Sequence, residues 1–106
     1  MKKGDIVLSP FPFTDLCGKK NRPALIHYSS SNQIIVAFIS TNLSLPEITD
    51  VFLEPTLEND LKKESILRLD KIATLEKAMV IGKLGWLEAK KIKKVNLSPM
   101  RLFKLR

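Results

Sequence analysis

The stretch Asp5–Ile26, DIVLSPFPFTDLCGKKNRPALI, decides how this chain folds. Ile6, Val7 and Leu8 make a short apolar strand. Pro10 and Pro12 cannot both sit inside a central strand, so the chain bends there and turns its phenylalanines inward. A Gly18-Lys19-Lys20-Asn21 loop follows, and Arg22-Pro23 leads a second apolar strand, Ala24–Ser29. An arginine at the foot of a strand, beside a loop carrying Lys19 and Lys20, is a natural place to receive a phosphate.

Outward from this stretch, the composition sets limits. The 106 residues are expected to form one domain over 1–106, with a single modest core. Hydrophobic residues make up 44% and charged residues 27%, the balance of a globular chain. The longest apolar run, Ile34–Ile39, is far shorter than the ~20 residues of a membrane span, so no membrane partner is expected. Met1-Lys2-Lys3 is followed by Gly4-Asp5 and a strand instead of an apolar signal region. Cys17 is alone, which rules out an internal disulfide and suits a cytoplasmic location.

Charge is unevenly placed. Residues 83–106 hold Lys83, Lys90, Lys91, Lys93, Lys94, Arg101, Lys104 and Arg106 against Glu88 alone, and so carry the whole net charge of +7. Such an end attracts nucleic acid by counterion release. For any single lysine, a solvated helix face is the commoner explanation.

Apolar and β-branched runs continue to about residue 82. Asp5–Ser9, Ala24–Ser29, Gln33–Thr41, Thr49–Glu54, Ser65–Asp70 and Ala78–Lys83 read as strands, with a hairpin turn at 29–32. Thr56–Lys63 reads as a short helical turn. Beyond Glu88, the stripe Ile92, Val95, Leu102 and Phe103 predicts a helical tail, with Ser98-Pro99 starting its second part. Pattern alone gives a small β-rich domain with that tail.

The chemistry has few candidates. No His pair, Cys cluster or acidic pair stands at metal-ligand spacing, so no metal and no cofactor is expected. His27, the sole histidine, lies mid-strand in ALIHY and fits a packed or surface histidine better than a triad member. Arg22, Ser40-Thr41 and Arg68-Leu69-Asp70 remain. Strand alternation puts Arg68 and Asp70 on one face and Leu69 in the core. An Arg and an Asp so spaced are often only an exposed ion pair. The hydroxyls of Ser40 and Thr41 end the strand IIVAFIST, where either can cap the strand or donate to a phosphate oxygen.

Four pieces in order resemble the MazF/PemK family of type II toxins: the N-terminal strand–loop–strand with Arg22-Pro23, the IST strand end, Arg68-Leu69-Asp70-Lys71-Ile72-Ala73-Thr74 in place of an Arg-x-Asp-x-x-x-Thr element, and VIGKLGWL. The strand end departs slightly, with Ser then Thr where the family commonly has Thr-Ser or Thr-Thr. The resemblance implies a β-rich α+β fold, a small SH3-like barrel of the CcdB/PemK type with a C-terminal helix, working as a homodimer. It implies a cytoplasmic, sequence-selective, metal-independent endoribonuclease acting on single-stranded RNA and neutralised by a cognate antitoxin. Its products would be a 2′,3′-cyclic phosphate and a 5′-hydroxyl. Carried over by position, Arg22, Arg68, Asp70 and Ser40 are the expected catalytic residues, and Lys19, Lys20, Thr41 and Thr74 the expected RNA contacts. The alternatives are a catalytically inactive barrel that binds nucleic acid or protein, and a gyrase-targeting toxin of the related fold.

Overall fold

Among the described residues, six antiparallel strands make one strongly coiled sheet in the order β4-β5-β3-β2-β1-β6. They are β1 Asp5–Pro10, β2 Asn21–Ser29, β3 Gln33–Ser40, β4 Val51–Leu53, β5 Ser65–Glu76 and β6 Gly82–Trp86. The structure, a computed structural model, describes residues 1–11, 21–43, 50–89 and 91–92. The Pro12 bend, Cys17 and the Lys19-Lys20 loop therefore lie outside the described residues.

Apolar residues run almost unbroken through β1–β3 because both faces of the sheet are covered. On the inner face, Ile6, Leu25, Ala37, Ile39, Leu67 and Leu69 meet Val51 and Leu53 from one edge of the sheet and Leu87 from beyond the other. Strands at opposite edges share a core only if the sheet curls, and this gives a half-barrel. On the outer face, Val7, Ala24, Ile26, Ile34, Val36, Phe38 and Leu75 form a second cluster, with Phe11, Ala73 and Val80 packed against it.

The curl is completed by backbone. Trp86 N–H, at the end of β6, donates to the Glu58 carbonyl at 2.9 Å, and Leu87 N–H donates to that of Gly4 at 2.8 Å. Both approaches need glycine. Gly4 has φ +94°, a left-handed conformation that costs other residues strain. A Cβ on Gly85 would overlap the Glu58 carbonyl.

The β2–β3 hairpin is as expected. The Ser30 hydroxyl donates to the Gln33 carbonyl and accepts from Gln33 N–H, each at 3.2 Å. Three expectations are corrected. The fifth strand continues from Asp70 to Glu76, because a wide bulge sets Ala37 opposite Ile72 and Phe38 opposite Arg68, leaving residues 69–71 unpaired between them. That interruption hides the alternation of the second half. The sixth strand is Gly82–Trp86 instead of Ala78–Lys83, since Lys77–Met79 turns as a 3-10 helix after Lys77 N–H bonds the Asn32 carbonyl. Thr56–Lys63 forms a single turn: Thr56 and Asn59 exchange side-chain-to-backbone hydrogen bonds at 3.0 Å, and Asp60 at φ 53° stops helical continuation. Of the expected C-terminal helix only its start is described, where Ile92 N–H donates to the Glu88 carbonyl at 3.0 Å. The remainder, with Ser98-Pro99, lies outside the described residues. Among the described residues, no helix is long and apolar enough to cross a membrane.

Candidate functional site

Register places Arg22 on the outer face. It pairs with Ser9 and stands two residues from Ala24, which opposes Phe38. Its guanidinium lies 4.7 Å from the centre of the Phe11 ring. Phe11 in turn meets Phe38 edge-on, with centres 5.1 Å apart and planes at 89°. Phe38 is fully inside, so Arg22 rests on an aromatic shelf anchored in the core. Stacking restricts where the guanidinium can lie.

Arg68 is directly opposite Phe38 on the other side of β3, so the two arginines lie on the same face of the sheet. Their surroundings differ. Arg68 Nη1 donates to Asp50 Oδ2 at 3.1 Å, with side chains only 17% and 1% exposed. Ser40 follows Phe38 by two residues on this face, and its hydroxyl accepts a hydrogen bond from Asn42 N–H at 3.1 Å. Ser9, also on this face, is fully buried and its Oγ makes no hydrogen bond among the described residues.

Beside Arg22, at the start of β2, opens a pocket of about 420 Å³. Ile39, Leu61 and Leu84 supply apolar wall, and Arg22, Thr41, Lys62, Lys63 and Ser65 supply polar groups, with Asp60 the acid among them. The turn held by Asn59 brings both lysines here: Asn59 is 3% exposed, and its Oδ1 also accepts from Leu61 N–H at 3.0 Å.

Of the residues singled out in the sequence, Arg22 and Thr41 share this pocket, and Arg22, Ser40 and Arg68 share the outer face. Asp70 is exposed within the β5 bulge, where Leu69 takes the core position. Thr74 opposes Ile35, whose alternation is that of Ala37 and Ile39, so it belongs to the other face. Lys19 and Lys20 lie outside the described residues. Asp50, Phe11, Lys62 and Lys63 escaped sequence reasoning. The Phe-Pro corner hinted at the shelf, but the other three reach the site through register and a turn. Among the described residues, no three His, Cys, Asp or Glu side chains gather as metal ligands.

His27 occupies the β2 bulge beside Tyr28, partly buried, and its Nε2 makes no hydrogen bond among the described residues. Burial first, and the positive charge of Lys3 second, lower its pKa from the ordinary 6.5.

A small antiparallel half-barrel, with two arginines on one face of its sheet and a basic pocket at a strand end, defines a β-barrel-like protein. The chain belongs to the PemK-like, MazF-like toxin family of type II toxin–antitoxin systems, whose model matches residues 2–102. Its fold is that of the Mycobacterium tuberculosis toxin MazF-mt6, at 21% identity and TM-score 0.77, with 96% of this chain and 98% of that one covered. It is also similar to an endoribonuclease solved in complex with its cognate antitoxin from mycobacterial species, at 19% identity and TM-score 0.73, covering 100% and 95%. No curated protein matches the chain in sequence.

Proposed function

We propose that this chain, as a single domain over 1–106, is the toxin of a cytoplasmic toxin–antitoxin pair and cleaves single-stranded RNA at selected sequences without a metal ion. The observation that carries this reading is Arg22 on its Phe11 shelf, opening onto a pocket shared with Thr41, Lys62 and Lys63. In such cleavage the RNA's own 2′-hydroxyl attacks the adjacent phosphorus and the bond to the 5′-oxygen breaks. The protein must therefore hold the phosphate, take the 2′-hydroxyl proton, meet the growing negative charge and see the leaving 5′-oxygen protonated, by an arginine or by water. Arg22 meets that charge from a fixed position, which is where preorganised cations are most effective. Arg68, oriented by Asp50, adds a second cation on the same face. The Ser40 and Thr41 hydroxyls donate to non-bridging oxygens, and Asp70 accepts the 2′-hydroxyl proton once bound RNA covers it. Lys19, Lys20, Lys62 and Lys63 contact flanking phosphates. Thr74, on the other face, has no part in this assignment. The products are a 2′,3′-cyclic phosphate and a 5′-hydroxyl.

Two partners complete the proposal. The similar endoribonuclease was solved with its antitoxin, and for this chain a small antitoxin with an acidic segment, folding on contact, suits the basic surface. A second copy of the chain is the other, since one copy offers limited surface for an RNA groove.

The test is direct. Purified protein should cut single-stranded RNA in excess EDTA, leave DNA intact because it lacks the 2′-hydroxyl, and give 5′-hydroxyl ends. Activity lost with EDTA, or 5′-phosphate ends, would sink the mechanism. RNA bound but left whole would make this an inactive binding barrel. Light scattering should show twice the 12.0 kDa chain mass.

A further inference from the structure

On the other side of β6 lies a second pocket, of about 360 Å³, that shares no lining residue with the first. It is formed by the N-terminal residues Lys2, Lys3 and Asp5 with Lys83 and Trp86 of β6. We propose that it is a second nucleotide subsite, which stacks one base of a single-stranded RNA on Trp86 and holds the adjoining phosphate with Lys2, Lys3 and Lys83.

Trp86 is 51% exposed on an edge strand, an unusual place for the largest apolar side chain unless something flat covers it. Lys83 Nζ lies 5.9 Å from the centre of its ring and 3.4 Å from Asp5 Oδ1. Asp5 is itself held: its side chain is 4% exposed, and Oδ2 accepts from Lys2 N–H at 3.1 Å. A buried carboxylate that orients one lysine beside an aromatic ring makes a built site, not a chance lysine on a surface. Three ammonium groups against one carboxylate leave the pocket cationic, which suits phosphate. The volume falls within the usual small-molecule range of about 300–1,000 Å³. β6 contributes Leu84 to the Arg22 pocket and Lys83 and Trp86 to this one. A five-residue strand spans about 17 Å, so one oligonucleotide can reach both. RNA as the ligand rests on the function proposed above; the site's own chemistry asks only for an aromatic base next to a phosphate.

Trp86 is the sole tryptophan, so its emission reports this pocket alone. The probe is a 2′-O-methyl oligoribonucleotide of eight bases, which has no free 2′-hydroxyl and cannot be cut. It should quench Trp86 saturably. By anisotropy of the labelled oligonucleotide, Trp86→Ala should weaken binding about tenfold, and Trp86→Phe should restore most of it. Lys83→Ala should lower the salt slope of log affinity by about one. Circular dichroism on each variant checks folding. Oligonucleotide binding without a Trp86 response overturns the subsite, as does equal quenching by polyglutamate, which would mark a site for an acidic polypeptide. Cleavage with a silent Trp86 overturns only the subsite. A quenched Trp86 in a protein that cuts no RNA keeps the subsite and overturns the proposed activity.

Discussion

Arg22 and Arg68 share one face of the sheet, yet their replacement should have different effects. Arg22 rests on a ring, and Arg22→Ala should cost ~2–4 kcal/mol of transition-state stabilisation, read as a cleavage loss of a hundredfold or more. Arg22→Lys should recover little, because an ammonium cannot reproduce a stacked, forked contact. Arg68 is half of a buried ion pair, and Asp50→Ala would remove the buried carboxylate that its guanidinium faces. The expected cost is ~3 kcal/mol of stability, measured by denaturant unfolding. His27 adds a pH dependence. Its pKa is lowered by folding, so the unfolded chain binds the proton more tightly. Stability is therefore unaffected well above pH 6.5 and falls as pH drops through 6.5 towards the folded-state value. Thermal midpoints of wild type and His27→Gln should converge as pH is lowered through that window. A constant gap between them would show that His27 does not titrate on unfolding.

At the scale of elements, the turn after β4 matters more than its length suggests. Asn59 accepts from Thr56 and Leu61 N–H through Oδ1 and donates from Nδ2 to the Glu54 carbonyl at 2.8 Å. Asn59→Ala strands those backbone groups and should cost ~2–3 kcal/mol, while moving Lys62 and Lys63 away from the Arg22 pocket. Gly85→Ala should cost at least ~2 kcal/mol, because the Glu58 carbonyl must move aside. Urea midpoints of the two variants check both values. These elements also show what a sequence reveals. β1–β3 were legible because their apolar runs are bounded by proline, glycine and serine. The half of β5 beyond Asp70 was not, since three unpaired residues break the period of two on which strand reading depends. Arg22 and Ser40-Thr41 were legible as candidates because they mark strand ends. Asp50, Lys62 and Lys63 were not, because their approach to the site comes from antiparallel register and a turn, neither of which leaves a local pattern.

Across the whole molecule, the formal charge excess lies in residues 83–106, yet the Arg22 pocket draws its lysines from the balanced remainder of the chain. Lys63→Ala should therefore reduce the salt slope of RNA binding by about one, the signature of a single phosphate contact. The sheet order has a consequence in time. β1 pairs with both β2 and β6, the latter joining Asp5 to Trp86, so it lacks one of its two neighbours until β6 has been made. At ~5–20 residues per second, a ribosome takes about 4–16 s to cover that interval. Throughout it β1 has no β6 partner and the end of β6 has not reached the Glu58 carbonyl. Nascent chains stalled before Gly82 should be more protease-sensitive at β1 than chains in which β6 has left the exit tunnel. A chain built this way closes its half-barrel only once Trp86 is in place.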